Sequence, residues 1–442
     1  MIYLGIKVVK FGGSSLADAS QFEKVKSIIE ADETRVFVVP SAPGKRNSSD
    51  TKITDLLYEL QAAAANKNES KAKEIFSTIN SRYEEIISDL KLNLSLEEEF
   101  NTIYKNVLGG ASKDYAASRG EYLNGIILAN YLGFDFVDPA NYIFFNSNGT
   151  FDAERTNNEL AECLSKHGTA VIPGFYGSKD GEIKTFSRGG SDITGSIVAR
   201  AANAEIYENW TDVSGFLMAD PRIVKDPKVI EYITYKELRE LSYMGATVLH
   251  EDAIFPVRLS NIPINVRNTN APYDDGTLIV ESIDEDNNEH NITGIAGKKG
   301  FTVITIDKDN MNGEIGFVRR VLSVLEENDI NFEHMPTGID TLSLVVADAQ
   351  LDGKLNTLID QITKSVSPDT IEITENMALI ATVGQQMNHR IGLAAALFSA
   401  LANAHVNIRM IDQGSSEINI IVGVENDDFE EAIRAIYNGL LK

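Results

Sequence analysis

Hydrophobic and polar positions follow one rhythm up to about residue 284 and another beyond it. In the first part, short apolar runs recur at Ile2–Val9, Val36–Val39, Gly125–Leu132, Ala170–Phe175, Ala204–Tyr207 and Ile262–Val266. Segments with helical spacing lie between them, such as Asp18 to Ile29 and Thr194 to Ala202. Uniformly apolar strands alternating with helices predict a largely parallel sheet covered on both faces. Residues 55–108 break the rhythm with Leu56, Leu57, Leu60, Ile75, Ile79, Tyr83, Ile86 and Ile87 in an Ala-, Glu- and Lys-rich background. This stretch is expected to be an inserted helical subdomain, with Asn66 to Ser70 as a turn between helices.

At Asp284–Glu289 the apolar pattern stops and charge takes over, which marks the domain boundary. An internal repeat follows, and Ile315 to Met335 can be laid over Ile391 to Ile411 without gaps. Each copy opens on Ile-Gly, runs through an amphipathic helix and passes an Asn into a strand beginning Ile330-Asn331 or Val406-Asn407. Flanking strands are expected at Phe301–Ile306 and Leu342–Val346 for one copy, and at Met377–Val383 and Ile418–Val424 for the other. Each copy therefore reads β-α-β-β, giving two small α+β modules side by side.

A length of 442 residues exceeds one ordinary core, so two or three domains are expected. The formal net charge of −25 argues against nucleic acid or an anionic membrane as the main partner. Any phosphate site must then be locally basic or carry a cation. Cys163 is the only cysteine, which rules out internal disulfides and Cys-based zinc sites and fits a reducing cytoplasm. The N-terminus lacks a signal-peptide pattern, and no apolar run reaches the ~18 residues of a membrane span.

The chemistry starts with Lys10-Phe11-Gly12-Gly13-Ser14-Ser15, a strand end followed by two glycines and two hydroxyls ahead of a helix. Such a turn is often only tight, but its amides can also approach phosphate oxygens, with Lys10 supplying positive charge beside them. The lysine precedes the glycines, so this is not the Walker pattern. Ser118-Arg119-Gly120-Glu121 precedes the helical run Tyr122 to Tyr131, where Arg119 and Glu121 could form a solvated pair at a helix start. In Ser187-Arg188-Gly189-Gly190-Ser191-Asp192 the glycines let backbone approach a ligand, and Arg188 offers the fork that grips a carboxylate. Asp192 alone could be an N-cap. Thr211 and Asp212, in Asn209-Trp210-Thr211-Asp212-Val213-Ser214-Gly215, leave a strand at the edge where open parallel sheets bind ligands. His250 in Gly245-Ala246-Thr247-Val248-Leu249-His250 reads as a structural histidine. A basic phosphate loop, a carboxylate-gripping arginine and nearby acids suit phosphoryl transfer to a small carboxylic acid.

These motifs, with Asp220-Pro221-Arg222 and Asn407-Ile408-Arg409-Met410-Ile411-Asp412-Gln413-Gly414-Ser415-Ser416-Glu417-Ile418-Asn419-Ile420, resemble the signature set of the aspartokinases in order over nearly the whole chain. The resemblance implies an α/β amino-acid-kinase fold, an αβα sandwich with a mostly parallel sheet, in residues 1–286 with the helical insert at 55–108. It implies two ferredoxin-like ACT modules in 287–442, the first (about 308–376) inserted within the second (about 292–307 plus 377–442). Such enzymes phosphorylate the side-chain carboxylate of L-aspartate with Mg-ATP, giving 4-phospho-L-aspartate for lysine, threonine and methionine synthesis.

By matching motif, Lys10 would neutralise the transferred phosphoryl group and Asp192 would organise that lysine and the reacting groups. Gly12, Gly13, Ser14, Ser41, Thr211, Asp212, Leu217, Arg222 and Thr247 match ATP positions. Leu217 stands where relatives often carry a tyrosine, and Thr247 where many carry a lysine. Thr54, Glu121, Phe175, Arg188 and Ser191 match the aspartate site, with Glu121 suited to the substrate ammonium. Met311, Gly316, Phe317, Val318 and Glu333 fall where lysine-sensitive relatives bind that effector, although Glu333 could also simply be a solvated acid. ACT modules expose a sheet edge and bury sites where modules meet, so a homodimer or dimer of dimers through residues after about Ile292 is expected. No stretch after the second repeat would hold a dehydrogenase domain, so a single-function, lysine-sensitive type is expected. The competing readings are another amino acid kinase, of glutamate type, and a non-catalytic ACT effector sensor.

Overall fold

The computed structural model describes residues 5–187, 189–246, 249, 253–283, 292–385, 387, 390–414 and 416–441. Arg188, Thr247 and His250 of the motifs above lie outside the described residues. The chain forms two compact units, one of Met1–Phe216, Val229–Tyr235 and Thr247–Ile283, the other of Leu217–Lys228, Lys236–Ala246 and Asp284–Lys442. Among the described residues no helix is long and apolar enough to cross a membrane.

The first unit runs β1 (Lys7–Phe11), α1 (Ala19–Glu30), β2 (Arg35–Pro40), α2 (Ile53–Ala65), α3 (Glu69–Asp89), α4 (Glu97–Leu108), α5 (Lys113–Leu132), β3 (Asp135–Phe136), β4 (Phe144–Phe145) and α6 (Ala153–Leu164). It continues through β5 (Ala170–Val171), β6 (Tyr176–Lys179), β7 (Glu182–Thr185), α7 (Gly190–Ala201), β8 (Ile206–Thr211), β9 (Tyr232–Thr234), α8 (Tyr235–Tyr243), whose residues from Lys236 belong to the other unit, α9 (Phe255–Arg258), β10 (Ile264–Asn268) and β11 (Thr277–Val280). Eight strands form one sheet in the order β3-β5-β2-β1-β8-β10-β11-β9. From β3 to β10 every pairing is parallel, so the carboxyl ends of β2, β1, β8 and β10 share one edge. β1 lies in the middle, with Val8, Val9 and Phe11 wholly buried.

Two expectations need correction. The apolar run Gly125–Leu132 is not a strand but lies in the second half of α5, in agreement with the helical run Tyr122–Tyr131; the helix is capped by Ser112 and ended by Gly133 at φ 70°. A helix enclosed on most sides lacks a polar face, so its sequence loses helical periodicity and imitates a buried strand. Helices α2 to α4 are not a separate subdomain either. Leu57, Ile79, Tyr83 and Ile103 share one core with Val9, Phe11 and Val38 of the sheet and Ile127 of α5.

The second unit is built on a five-stranded sheet, β13 (Thr341–Ala347), β12 (Gly294–Asp307), β14 (Thr370–Val383), β16 (Asn419–Glu425) and β15 (Met410–Asp412) in spatial order. The other helices of this unit are α10 (Phe317–Glu327), α11 (Asp348–Leu351), α12 (Leu355–Val366), α13 (Leu393–Asn403) and α14 (Phe429–Leu441). The long strands β12 and β14 run antiparallel through both repeats, with register shifts between Lys299 and Val303. On one side of the shift they join β13 and the core of α10 and α12; on the other they join β16. The strands expected from Ile330 and Val406 are much reduced. The first leaves only bridges at His334–Val345 and Thr337–Leu342, and the second begins at Met410.

Candidate active site

Lys10 is the penultimate residue of β1, opposite Val39 of β2 and Asn209 of β8, and only 7% exposed. Its Nζ lies 2.5 Å from Asp192 Oδ1 and 3.4 Å from Asn209 Oδ1. Asn209 Nδ2 donates to Asp192 Oδ1 at 2.9 Å, and the Tyr207 hydroxyl donates to the Asp192 carbonyl at 3.1 Å. A desolvated ion pair persists only when further hydrogen bonds complete it, and β8 supplies them. The result is a cation fixed by two strands and a helix at the carboxyl edge of the sheet.

Gly13 opens the short 3₁₀ turn Gly13–Leu16, whose first amides have no acceptor within the turn. The amide of Gly12, expected to serve phosphate, already donates to the Trp210 carbonyl at 3.0 Å. Gly44 packs directly on this turn, its amide donating to Gly13 O at 2.8 Å. A Cβ on Gly44 would fall 2.6 Å from Gly13 C, and one on Gly13 would fall 2.9 Å from Ala42 O, so side chains there would force the loops apart. Buried Arg82 of α3 braces the pair by donating to Gly44 O at 2.7 Å and Ala17 O at 3.2 Å. Ser14 lies in the turn half-buried, and Ser41 follows β2 with its amide bonded to Phe11 O at 3.0 Å.

Ser118–Glu121 does not start a helix: α5 begins at Lys113, and both Arg119 and Glu121 are buried in its interior turns. Arg119 is no surface partner of Glu121. Its guanidinium sits over the rings of Tyr115, Tyr122 and Tyr176 at 4.9, 4.5 and 5.1 Å and donates to Ser118 Oγ. Glu121 is 5% exposed, and its Oε2 has no hydrogen-bond partner. Burial pushes its carboxyl up to about 8, against the opposing pull of the Ala42 amide, its own amide and Arg119.

Asp192 is not an N-cap. Helix α7 begins at Gly190, so Ser191 and Asp192 lie in its first turn, and Gly189 caps it at φ 58°. Phe175 holds φ 81°, an uncommon conformation for an aromatic residue, with its amide donating to Thr194 Oγ1 at 3.0 Å. Gly190 and Ser191 press closely on the Gly174–Phe175 turn, where a Cβ on Gly190 would lie 2.4 Å from Phe175 Cδ2. Thr54 sits in the first turn of α2. Thr211 ends β8, its hydroxyl donating to exposed Asp212 at 3.2 Å. The first unit thus gathers Lys10, Gly12, Gly13, Ser14, Ser41, Thr211 and Asp212 at the ends of adjacent strands.

Residues 5–268 match the amino acid kinase family, and residues 380–440 match an ACT domain. Aspartokinase 3 of Bacillus subtilis is 38% identical over 98% of both chains. The solved aspartate kinase of Clostridium acetobutylicum is 56% identical, covers 99% of each chain and superposes with a TM-score of 0.90. The chain belongs to the aspartokinases. It is an ATP-dependent phosphotransferase acting on aspartate, with the kinase fold followed by an ACT region. Aspartokinase III of Escherichia coli is more distant, with a TM-score of 0.73 over 99% of this chain and 100% of its own. It has been solved with aspartate and ADP in an R-state (25% identical) and with lysine and aspartate in a T-state (26% identical).

Within this aspartokinase Leu217 and Arg222, the remaining described positions expected to meet ATP, belong to the second compact unit. There exposed Arg222 forms a two-pronged pair with Asp220, Nη2 to Oδ2 at 2.6 Å. The same unit holds the five positions expected to meet an effector. The side chains of Met311 and Phe317 are core, Val318 packs against them, and Gly316 caps α10, so Met311 and Phe317 could offer a ligand only backbone. Half-buried Glu333 accepts a 2.5 Å hydrogen bond from Tyr243 of α8. The motifs gave Asn209 no role of its own. Its signal was positional, since it stands opposite Lys10 in the strand register.

Proposed function

We propose that this enzyme transfers the γ-phosphoryl group of ATP to the side-chain carboxylate of L-aspartate, giving 4-phospho-L-aspartate for lysine, threonine and methionine synthesis. The observation that carries the proposal is the buried Lys10–Asp192–Asn209 cluster beside the Gly13–Gly44 contact at the sheet edge. Phosphoryl transfer needs little covalent help and much fixed charge, because negative charge on the transferred group must be balanced without reorganisation. Lys10 supplies that charge, and Asp192 holds it in place. The amides of Gly13 and Ser14, with Ser41, Thr211, Asp212, Leu217, Arg222 and Thr247, bind the nucleotide. Thr54, Phe175, Arg188 and Ser191 hold aspartate, and Glu121 receives its ammonium.

Among the described residues no group of three or more His, Cys, Asp or Glu could hold a metal ion. Mg²⁺ is proposed to arrive on the nucleotide phosphates, its usual mode in such sites. L-Lysine is the proposed feedback effector, bound in the first ACT module with Glu333 as acceptor for its side-chain amine. The T-state of the E. coli relative was solved with lysine, which supports this choice. The chain is further proposed to work in the cytoplasm as a homodimer or dimer of dimers through its ACT modules, a state that sedimentation of the full chain would measure.

A coupled assay of ADP release with L-aspartate, with L-glutamate and with no acceptor tests the reaction. ADP release that depends on aspartate is the expected result. Release with glutamate alone, or none with either acid, would overturn the reading.

A further inference from the structure

We infer that Asn124 is a second acceptor for the ammonium group of the amino-acid substrate, beside Glu121. The inference rests on the aspartate kinase reading above. Asn124 is fully buried on α5, three residues after Glu121 and therefore on the same face of the helix. Its Nδ2 donates to the carbonyl of Ser41 at 2.6 Å. A carbonyl can only accept, so the amide nitrogen must face Ser41 and Oδ1 must face the other way. That Oδ1 is buried without a partner, and so is Glu121 Oε2.

Two neighbouring side chains of one helix face therefore each hold an unused acceptor next to the Ser41–Ala42 turn. Buried acceptors are rarely left alone, and neither of these oxygens has a partner within the chain. A primary ammonium carries three N–H groups and could serve both oxygens. Both atoms are closed off from solvent, so the ammonium enters with a shift of the surrounding side chains. The Ser41 hydrogen bond gives Asn124 a structural task as well, and a useful test has to separate the two.

Succinate makes that separation, because it keeps both carboxylates of aspartate and lacks the ammonium. Asn124→Ala and Asn124→Leu, the second preserving bulk, would be prepared in the full-length chain and checked by thermal melting. For whichever variant folds, the KM for L-aspartate should rise about tenfold, the loss of a hydrogen bond to a charged group. The inhibition constant of succinate and the KM for ATP should change less than about twofold, since neither ligand uses the lost acceptor. Equal weakening of aspartate and succinate would overturn the inference and leave Asn124 as a brace for Ser41. Unchanged binding of both would overturn it too. A wild-type chain inactive with aspartate would instead overturn the kinase reading, and this inference with it.

Discussion

Lys10 in the first unit and Glu333 in the second are both charged side chains engaged by a residue from another element, yet their settings differ. Lys10 is almost wholly buried, and its partner Asp192 is itself held by Asn209 and Tyr207. Glu333 is half-buried and held by the neutral hydroxyl of Tyr243, a residue 58% exposed. A charge that stabilises a transition state gains by being unable to move. A charge that reads a ligand must have a partner the ligand can displace, since an effector acts only through differential contacts with two states. The internal repeat sharpens the contrast. In the overlaid register Glu333 falls on Arg409, which is paired within its own module to Glu425 at 2.8 Å. The two repeats carry opposite charges at the same place, so the proposed amine effector would find its carboxylate only in the first.

The comparison breaks first if Lys10 can be removed cheaply. Lys10→Ala should keep the fold and lower turnover on the order of a hundredfold or more, the scale of losing one preorganised electrostatic group. Initial rates at saturating ATP and aspartate, beside a thermal melt, would check this. Near-normal turnover in a folded variant would mean that the buried cluster is structural.

Glu121 offers the next test, because its carboxyl lies near 8 in the folded chain and at the ordinary value of 4.5 when unfolded. The folded state binds the extra proton between those values, so the contribution of Glu121 to stability is fully present below about pH 4.5 and is lost as pH rises through 8. Glu121→Gln should flatten that decline in urea midpoints measured across the range. Aspartate's ammonium favours the carboxylate, so binding near pH 7 should release a proton in the wild type and none in the variant. Calorimetry in buffers of different ionisation enthalpy would detect it. No proton release in the wild type would mean that Glu121 does not meet the ammonium as a carboxylate.

Much of the site was readable because its residues are close in sequence. Lys10 to Ser15 and Gly189 to Asp192 are short motifs whose glycines and charges announce a loop next to a helix. Other parts were hidden because they depend on pairings distant along the chain. Asn209 meets Lys10 only through the β1–β8 register, and Asn124 meets Ser41 only because α5 packs beside β2. The helical run Tyr122–Tyr131 was legible, but its overlap with Gly125–Leu132 also read as a strand-like apolar run, because burial erased the helix's polar face. In the regulatory unit the repeat announced its helices, but the strand after Ile330 was overestimated, since its pairing is reduced to two bridges. Likewise, nothing near Glu333 in sequence pointed to Tyr243, which comes from α8.

The Tyr243–Glu333 contact gives the smallest and most discriminating effect. If the hydroxyl occupies the acceptor that an effector amine needs, Tyr243→Phe removes a competitor and lysine should bind more tightly, by about two- to tenfold for one hydrogen bond. Glu333→Ala should move lysine binding the other way and more strongly, because the charge itself is lost. Isothermal titration of lysine and threonine against the wild type and both variants would measure each shift. Tighter lysine binding in Tyr243→Phe and weaker binding in Glu333→Ala would identify the hydroxyl as a displaceable latch. Weaker binding in both would make Tyr243 part of the effector site, and threonine responding in place of lysine would show that the first module reads a different ligand.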